Sequence, residues 1–104
     1  MKARDLILAA SAETGHPVKP RSGEKERWEN SEGQLHRYDG PAVEYTDGFR
    51  VWYQNDQRHR DDGPAVEHAD GYREWWQSDR LIARNDQPDY QAVLAANGFP
   101  PDIP

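Results

Sequence analysis

The chain contains no cysteine among its 104 residues and has no long apolar run. The absence of cysteine excludes disulfide bonds, a thiolate nucleophile and the cysteine-containing ligand sets of small zinc proteins. The apolar stretch near the N-terminus is short and broken by charges, so it falls well below the about 20 residues of a membrane span. We therefore expect a soluble protein of a reducing cytoplasm, in a bacterium or in a host cell.

Motifs of catalytic chemistry are also missing from the chain. No serine lies in a nucleophile motif, no glycine-rich loop is present to cradle phosphate, and no acidic pair marks an evident pocket. We therefore predict no catalytic residues, no cofactor and no metal ion. A repeated motif with a histidine leaves a hydrolase and a metal site as alternatives, which are described below.

Positive charge is scarce outside the N-terminal quarter of the chain. Residues 1–27 carry 6 basic and 4 acidic side chains (net +2), and residues 28–104 carry 7 basic and 15 acidic ones (net −8), which together give −6. An acidic body argues against binding the phosphate backbone of nucleic acid and favours attraction to a basic partner. We expect another protein with a basic surface as the partner, with no membrane binding and no direct nucleic-acid binding.

An internal repeat organises the middle of the chain. Residues 34–56 read QLHRYDGPAVEYTDGFRVWYQND and residues 57–79 read QRHRDDGPAVEHADGYREWWQSD, with 15 of 23 positions identical. A degraded third copy begins at Arg80. A short fixed period predicts a supersecondary unit that buries its apolar face against copies of itself.

Each copy of the repeat predicts a β-hairpin. Asp-Gly pairs at 47–48 and 70–71 lie between segments rich in β-branched and aromatic residues, which is a turn signal. In a hairpin loop of three residues, the glycine takes the left-handed position. This register places Glu44 opposite Arg50 and Glu67 opposite Arg73, so we expect an ion pair within each hairpin.

The same register sorts the side chains onto two faces of the sheet. One face, which we expect to form the core, carries Val43, Tyr45, Phe49, Val51, Tyr53, Val66, His68, Tyr72 and Trp76. The other carries Ala42, Glu44, Arg50, Trp52, Ala65, Glu67, Arg73 and Trp75. Because tryptophan and arginine are favoured at interfaces, the residues predicted to bind a partner are Trp52, Trp75, Glu44, Glu67, Arg50, Arg73 and Trp76. The alternative is that Trp52 and Trp75 stack on their equivalents and hold the units together.

The motif His-Arg-x-Asp-Gly-Pro-Ala occurs twice, at 36–42 and 59–65. An aspartate before Gly-Pro can accept hydrogen bonds from nearby backbone or from the preceding histidine and arginine. We therefore predict a structural role in the repeat for His36, His59, Asp39, Asp62, Gly40, Gly63, Gly48 and Gly71. A metal site on His36 and His59, assisted by Asp39, Asp62 or His68, and a hydrolase using His36 or His59 are less favoured alternatives.

The flanking segments complete a single domain, residues 1–104, of mainly β (α+β) class. We predict an N-terminal helix over 1–14, a linker over 15–26, and antiparallel β-hairpin repeats in a single twisted sheet over 27–86. Residues 87–104 are predicted as a C-terminal helix from near Pro88 to Asn97 and Gly98, followed by a proline-rich tail. Exposed sheet edges invite pairing with a second copy, so a homodimer and a monomer capped by its own ends both remain open.

The spacing of aromatic residues, histidine and Asp-Gly turns on a period of 23 resembles that of MORN repeats over residues 28–82. The resemblance implies an elongated single layer of stacked β-hairpins that acts as a scaffold or interaction module. The chain departs from the MORN pattern because His-Arg-x-Asp-Gly-Pro-Ala replaces His-Gly-x-Gly, and Asp56 replaces a turn glycine. This variant is similar to repeats in uncharacterised proteins of bacteriophages and large DNA viruses.

Two hypotheses of function follow from these observations. The first is a non-enzymatic protein-binding module, in the form of a small acidic phage-type inhibitor of a host defence factor or nucleic-acid-binding protein, whose basic groove it occupies. The second is a nucleotide or small-ligand binder, in which tryptophans stack on a base and arginines hold phosphate. The residues concerned in the second hypothesis are Trp52, Trp75, Trp76, Arg50 and Arg73.

Overall fold

The computed structural model describes residues 14–103, which form nine strands and one helix. The strands are β1 (His16–Val18), β2 (Glu24–Glu29), β3 (Val43–Tyr45), β4 (Arg50–Val51), β5 (Tyr53–Gln54), β6 (Gln57–Arg58), β7 (Val66–Glu67), β8 (Arg73–Gln77) and β9 (Arg80–Arg84), and the helix is α1 (Tyr90–Ala96). Seven strands form an antiparallel sheet in the order β1-β2-β3-β4-β7-β8-β9, and β5 pairs with β6 separately. The prediction of a mainly β fold is confirmed, but the prediction of a single sheet was wrong, because β5 and β6 pair apart from the other strands. The predicted N-terminal helix lies outside the described residues.

The two Asp-Gly hairpins have the predicted register. In β3–β4, Glu44 lies opposite Arg50, and in β7–β8, Glu67 lies opposite Arg73. The turn glycines Gly48 and Gly71 have φ values of 92° and 96°, a backbone region that side chains disfavour. The Asp-Gly signal therefore predicted both the turns and the strand pairing correctly.

A second type of tight turn contains no glycine and was not predicted. Asn55 and Asp56 join β5 to β6 with φ values of 51° and 66°, and Ser78 and Asp79 join β8 to β9 with 48° and 65°. Two successive positive φ values are typical of a type I′ hairpin turn. The Asp79 side chain fastens its turn to the preceding hairpin, because it accepts hydrogen bonds from the backbone N–H and the Nε of Arg58 at 3.3 and 2.7 Å.

Residues 15–26, predicted as a linker, instead contribute to the sheet. His16 and Val18 of β1 lie opposite Glu29 and Arg27 of β2. Within residues 14–103, β1 has β2 as its only neighbour, and an edge strand tolerates a residue such as Pro17 that lacks a backbone N–H. The linker prediction was wrong because proline and glycine content does not distinguish a mobile segment from an edge hairpin.

The hydrophobic core lies on both faces of the sheet, rather than on the one face predicted. Val43, Val51 and Val66 are buried on the expected face, but His68 there is exposed. The opposite face buries a row in which alanine and tryptophan alternate across the strands, formed by Ala42, Trp52, Ala65, Trp75 and Ala83. The expected core was incomplete because α1 covers Trp75 and Ala83 on the other face, and Arg60 covers Trp52 there.

The C-terminal helix packs over Trp75. Leu94 of α1 and the following Phe99 form a buried cluster with Trp75 and Ala83. The helix ends as predicted, with Asn97 at its C-cap and Gly98 at a φ of 81°. Among residues 14–103, no helix is both long and apolar enough to cross a lipid bilayer.

Candidate interaction surface

A layer of tryptophan, arginine and aspartate lies on the face of the sheet that carries α1. The guanidinium carbon of Arg37 is 4.0 Å from the ring centroid of Trp28. The Nε of Arg37 donates to Asp39 Oδ1 at 2.8 Å, and one terminal nitrogen donates to the carbonyl of Pro41 at 3.4 Å. Stacking and ionic hydrogen bonds together fix the arginine on the indole.

An equivalent layer follows 23 residues later in the sequence. The guanidinium carbon of Arg60 is 4.1 Å from the ring centroid of Trp52, its Nε donates to Asp62 at 3.1 Å, and a terminal nitrogen donates to the Pro64 carbonyl at 3.0 Å. Because each contact has a counterpart in the first layer, the arginine and aspartate of the repeated motif have the same role in both copies.

The motif glycines allow these arginines to approach the chain closely. A Cβ atom on Gly40 would lie 2.9 Å from the guanidinium carbon of Arg37, and one on Gly63 would lie 2.8 Å from that of Arg60. Both distances are shorter than a van der Waals contact. A side chain at either position would force the neighbouring arginine to shift, so the structural role of these glycines stays a prediction.

The motif histidines bind the tight turns that follow them. The Nδ1 atom of His36 accepts the backbone N–H of Asn55 at 3.1 Å, and Nδ1 of His59 accepts that of Ser78 at 2.9 Å. With Nδ1 as an acceptor, the neutral ring carries its proton on Nε2, and in His59 this atom lies 2.8 Å from Asp61 Oδ1. Between residues 14 and 103, no three side chains gather as metal ligands.

The ion pairs differ from those expected within each hairpin. Arg50 pairs with Glu67 of the next hairpin at 2.6 Å, and Arg73 pairs with Asp102 near the C-terminus at 2.5 Å. Arg50 lies opposite Glu67 across β4–β7 as well as opposite Glu44 across β3–β4. The backbone register therefore offered two acidic neighbours, and the expected ladder within hairpins was wrong.

The tryptophans predicted to bind a partner occupy different environments. Trp75 is 1% exposed beneath α1, with its ring 5.6 Å from that of Tyr90, so it belongs to the core and is not available to a partner. Trp52 is 8% exposed beneath Arg60. On the opposite face Trp76 is half-buried, with the Arg58 guanidinium carbon 3.6 Å from its ring centroid. Trp52 therefore packs against the Arg60 guanidinium and Trp75 against α1, rather than the two rings stacking on each other.

The outer side of the two layers is acidic. The Asp39, Asp61 and Asp62 side chains are 67%, 74% and 83% exposed, whereas the arginines beneath them are half-buried. The hydrogen bond from Arg37 lowers the pKa of Asp39, so this carboxylate keeps its negative charge into mildly acidic solution. We call these three carboxylates the acidic rim.

A groove runs beside the acidic rim. Its lining includes Tyr38, Pro41, Trp52 and Arg60, and Tyr38 is 48% exposed. We call it the Tyr38 groove. Sequence reasoning missed Tyr38 and Asp61, which occupy the one variable position of His-Arg-x-Asp-Gly-Pro-Ala. Variation at a single position within a constant motif was the signal that could have identified them.

A hydrogen-bonded cluster on the opposite face gives a pH-dependent prediction. Tyr72 Oη and Trp76 Nε1 both donate to the Glu74 carboxylate at 2.8 Å. Desolvation, followed by the bond to Glu74, raises the pKa of Tyr72 to about 12. Since an unfolded tyrosine has a pKa near 10, the stability contributed by neutral Tyr72 is present below pH ~10 and is lost as the pH rises towards 12.

We therefore expect the tyrosinate absorbance of the native protein minus that of Tyr72→Phe to titrate near pH 12. Circular dichroism across the same range monitors folding. Glu74→Gln removes the carboxylate and should move the midpoint down, towards the ordinary value. A difference curve centred near pH ~10 would contradict the prediction.

Comparisons of the chain with protein-family models, with curated proteins and with solved structures find no match. The acidic rim, the Tyr38 groove and the two layers beneath them are therefore the observations from which function can be inferred. These features place charge and aromatic surface together on one side of the sheet.

Proposed function

We propose that the protein is a non-enzymatic binding module that presents its acidic rim to a partner protein with a basic surface. One observation carries this proposal: the layers turn arginine inwards and aspartate outwards. Arg37 and Arg60 each bind a tryptophan, a carboxylate and a carbonyl oxygen. The charge exposed to solvent is therefore mainly that of the aspartates, which suits rapid, electrostatically guided association with a basic surface.

The recurrence of these contacts also supports the MORN-like interpretation. Contacts of histidine, arginine, aspartate and glycine repeat at a spacing of 23 residues, as expected for stacked copies of one supersecondary unit. Such units form scaffolds that offer a continuous surface. A small acidic protein of this kind fits a phage-type inhibitor that occupies the basic groove of a host defence or nucleic-acid-binding protein.

The contacts of the arginines and tryptophans do not favour the nucleotide-binding alternative. That hypothesis requires Arg50 and Arg73 to hold phosphate, but both guanidinium groups bind carboxylates of the chain itself. It also requires Trp75 to stack on a base, and this ring is buried beneath α1. A phosphate would have to displace two ion pairs next to an acidic surface.

The proposal is tested by neutralising the acidic rim. Immobilised native protein is incubated with bacterial lysate at physiological salt, and the retained proteins are quantified by mass spectrometry. In a triple variant with Asp39→Asn, Asp61→Asn and Asp62→Asn, we expect retention to fall at least about tenfold, which corresponds to about 1.4 kcal/mol of binding free energy. Asparagine keeps a hydrogen-bond acceptor for each arginine, so the layers should remain folded.

A matched control carries the same change of charge at exposed sites away from the rim, with Glu32→Gln, Asp86→Asn and Asp89→Asn. It should retain the same proteins as the native chain. The proposal is overturned if the rim variant and the native protein retain the same proteins equally, or if the native protein retains none. Circular dichroism confirms that both triple variants are folded.

A further inference from the structure

The Tyr38 groove has an equivalent one copy later in the sequence. Asp39, Gly40, Pro41 and Trp52 line the first groove, and their counterparts Asp62, Gly63, Pro64 and Trp75 line the second. The second groove has a further wall, formed by the chain's own C-terminal segment Pro100, Pro101 and Asp102. Among residues 14–103, the same face of the sheet thus leaves one groove open and packs the other against a proline-containing segment.

Polar contacts on both sides hold the C-terminal segment in place. Asp102 accepts hydrogen bonds from Arg73 and from the Tyr90 hydroxyl, at 2.5 and 2.8 Å. The Gln91 side chain bonds both the backbone N–H and the carbonyl of Asp102, at 3.0 and 2.6 Å. Phe99, directly before the prolines, is buried against Trp75. Within this protein, therefore, an extended segment with two prolines already packs beside a tryptophan and an Asp-Gly-Pro loop.

The Tyr38 groove has the chemistry that recognises such a segment. Tyr38, which is 48% exposed, supplies an aromatic wall and Pro41 an apolar one, while Trp52 is 8% exposed beneath the Arg60 guanidinium. Grooves lined by aromatic residues bind proline-rich peptides in the polyproline II conformation, which loses little entropy because proline restricts the free peptide. The chain's own tail shows that this face accepts a segment with two prolines, and the Tyr38 groove shares with the second groove the Asp-Gly-Pro loop and the tryptophan beneath it.

The acidic rim adds a requirement for positive charge. Asp39 and Asp62 each bind their arginine through Oδ1, and most of each side chain remains exposed. A guanidinium or ammonium group of a partner can therefore bind the same carboxylates. Charged hydrogen bonds of this kind are stronger than neutral ones.

We propose that the Tyr38 groove docks an extended proline-rich segment of the partner protein that carries arginine or lysine beside its prolines. The inference rests on the proposed function, because it assigns to the basic partner the segment that enters the groove. Prolines pack on Tyr38 and Pro41, and the cationic side chain binds Asp39 or Asp62. The partner is thus identified by both its backbone conformation and its charge.

Fluorescence anisotropy with three labelled peptides tests the inference. The first is a short proline-rich peptide with arginines, the second has alanine in place of every proline, and the third has glutamine in place of every arginine. We expect the first peptide to bind at least about tenfold more tightly than either of the others, a difference of about 1.4 kcal/mol for each feature. A vesicle or nucleic-acid probe is not required, since the proposed occupant is a polypeptide.

Two protein variants locate the binding site. Tyr38→Ala truncates an exposed aromatic side chain of the groove, and Leu81→Ala truncates an apolar side chain of β9 with similar exposure, 45%. Tyr38→Ala should weaken binding of the first peptide at least about tenfold, whereas Leu81→Ala should leave it unchanged. Both residues are sufficiently exposed for the variants to fold, which near-ultraviolet circular dichroism confirms.

The possible results separate this inference from the proposed function. Equal binding of the proline and alanine peptides, or native affinity in Tyr38→Ala, overturns docking in the groove. If docking in the groove fails but arginine-containing peptides bind the triple rim variant more weakly than the native protein, the proposed role of the acidic rim is still supported. If no peptide binds and neutralising the rim does not alter retention from lysate, both proposals fail.

Discussion

Replacement of Trp75 by alanine is expected to lower the free energy of unfolding by about 3–5 kcal/mol. The side chain is 1% exposed and packs with Ala83, Leu94 and Phe99. Truncation removes its buried contacts and leaves a cavity between the sheet and α1 that the helix can only partly fill. Since domains of this size have a total stability of roughly 5–15 kcal/mol, the variant should be largely unfolded at modest urea concentrations, as measured by circular dichroism.

The neighbouring Trp76 provides the matched control for this prediction. It lies on the opposite face, where it stacks with Arg58 and donates a hydrogen bond to Glu74. Because Trp76→Ala removes these contacts, we expect it to lower the free energy of unfolding by about 1–2 kcal/mol, clearly less than Trp75→Ala. Equal losses in the two variants would show that α1 does not cover the face that carries Trp75. Trp75→Phe should recover part of the stability and keeps the comparison measurable if the alanine variant does not fold.

Replacement of Asp102 by alanine is expected to lower the free energy of unfolding by about 2–4 kcal/mol, although the residue is close to the C-terminus. Its largely buried carboxylate binds Arg73 and Tyr90, and the hydrogen bond that Arg73 donates to Asp102 raises the pKa of Arg73, which keeps the guanidinium charged. Without the carboxylate, a partly buried cation and a hydroxyl lose their partner. Urea denaturation followed by circular dichroism measures the loss.

Asp102→Asn is the informative control for this ion pair. It retains an acceptor for Arg73 but removes the negative charge, so we expect it to lie between the native protein and Asp102→Ala. A double-mutant cycle with Tyr90→Phe should give a coupling energy of about 0.5–3 kcal/mol, because both side chains belong to one network. Native stability in Asp102→Ala would mean that the tail does not fasten α1 to the sheet.

The parts of the fold that were predictable depend on local chemistry. The Asp-Gly turns identified both hairpins and their register, because a glycine with positive φ is fixed by its immediate neighbours. The helix end at Asn97 and Gly98 was predictable for the same reason. The turn at Asn55 and Asp56 was not, since its conformation depends on hydrogen bonds with Leu35 and His36, which are distant in the sequence.

The core face and the ion pairs were not predictable because they depend on contacts between distant segments. Alternation along a strand separates two faces, but it does not show that α1 covers the face with Trp75. Likewise, Arg50 has acidic neighbours on both adjacent strands, and the sequence offers no basis for choosing between Glu44 and Glu67. In the candidate site, the repeated motif predicted Asp39 and Asp62 as structural residues. Their exposure to solvent could not be predicted, because it depends on where the arginines beneath them lie.

The hydrogen bonds made by the motif histidines connect each copy of the motif to a turn 19 residues further along the chain. The loops that these two hydrogen bonds close have the same short length, so each costs a similar amount of conformational entropy. The sheet can therefore assemble one hairpin after another while the chain leaves the ribosome. The β8–β9 hairpin is followed by α1 instead of another copy, and its Trp75 is buried only when Leu94 and Phe99 pack on it. We therefore expect a nascent chain to be most prone to aggregation before Leu94 and Phe99 have emerged and covered Trp75.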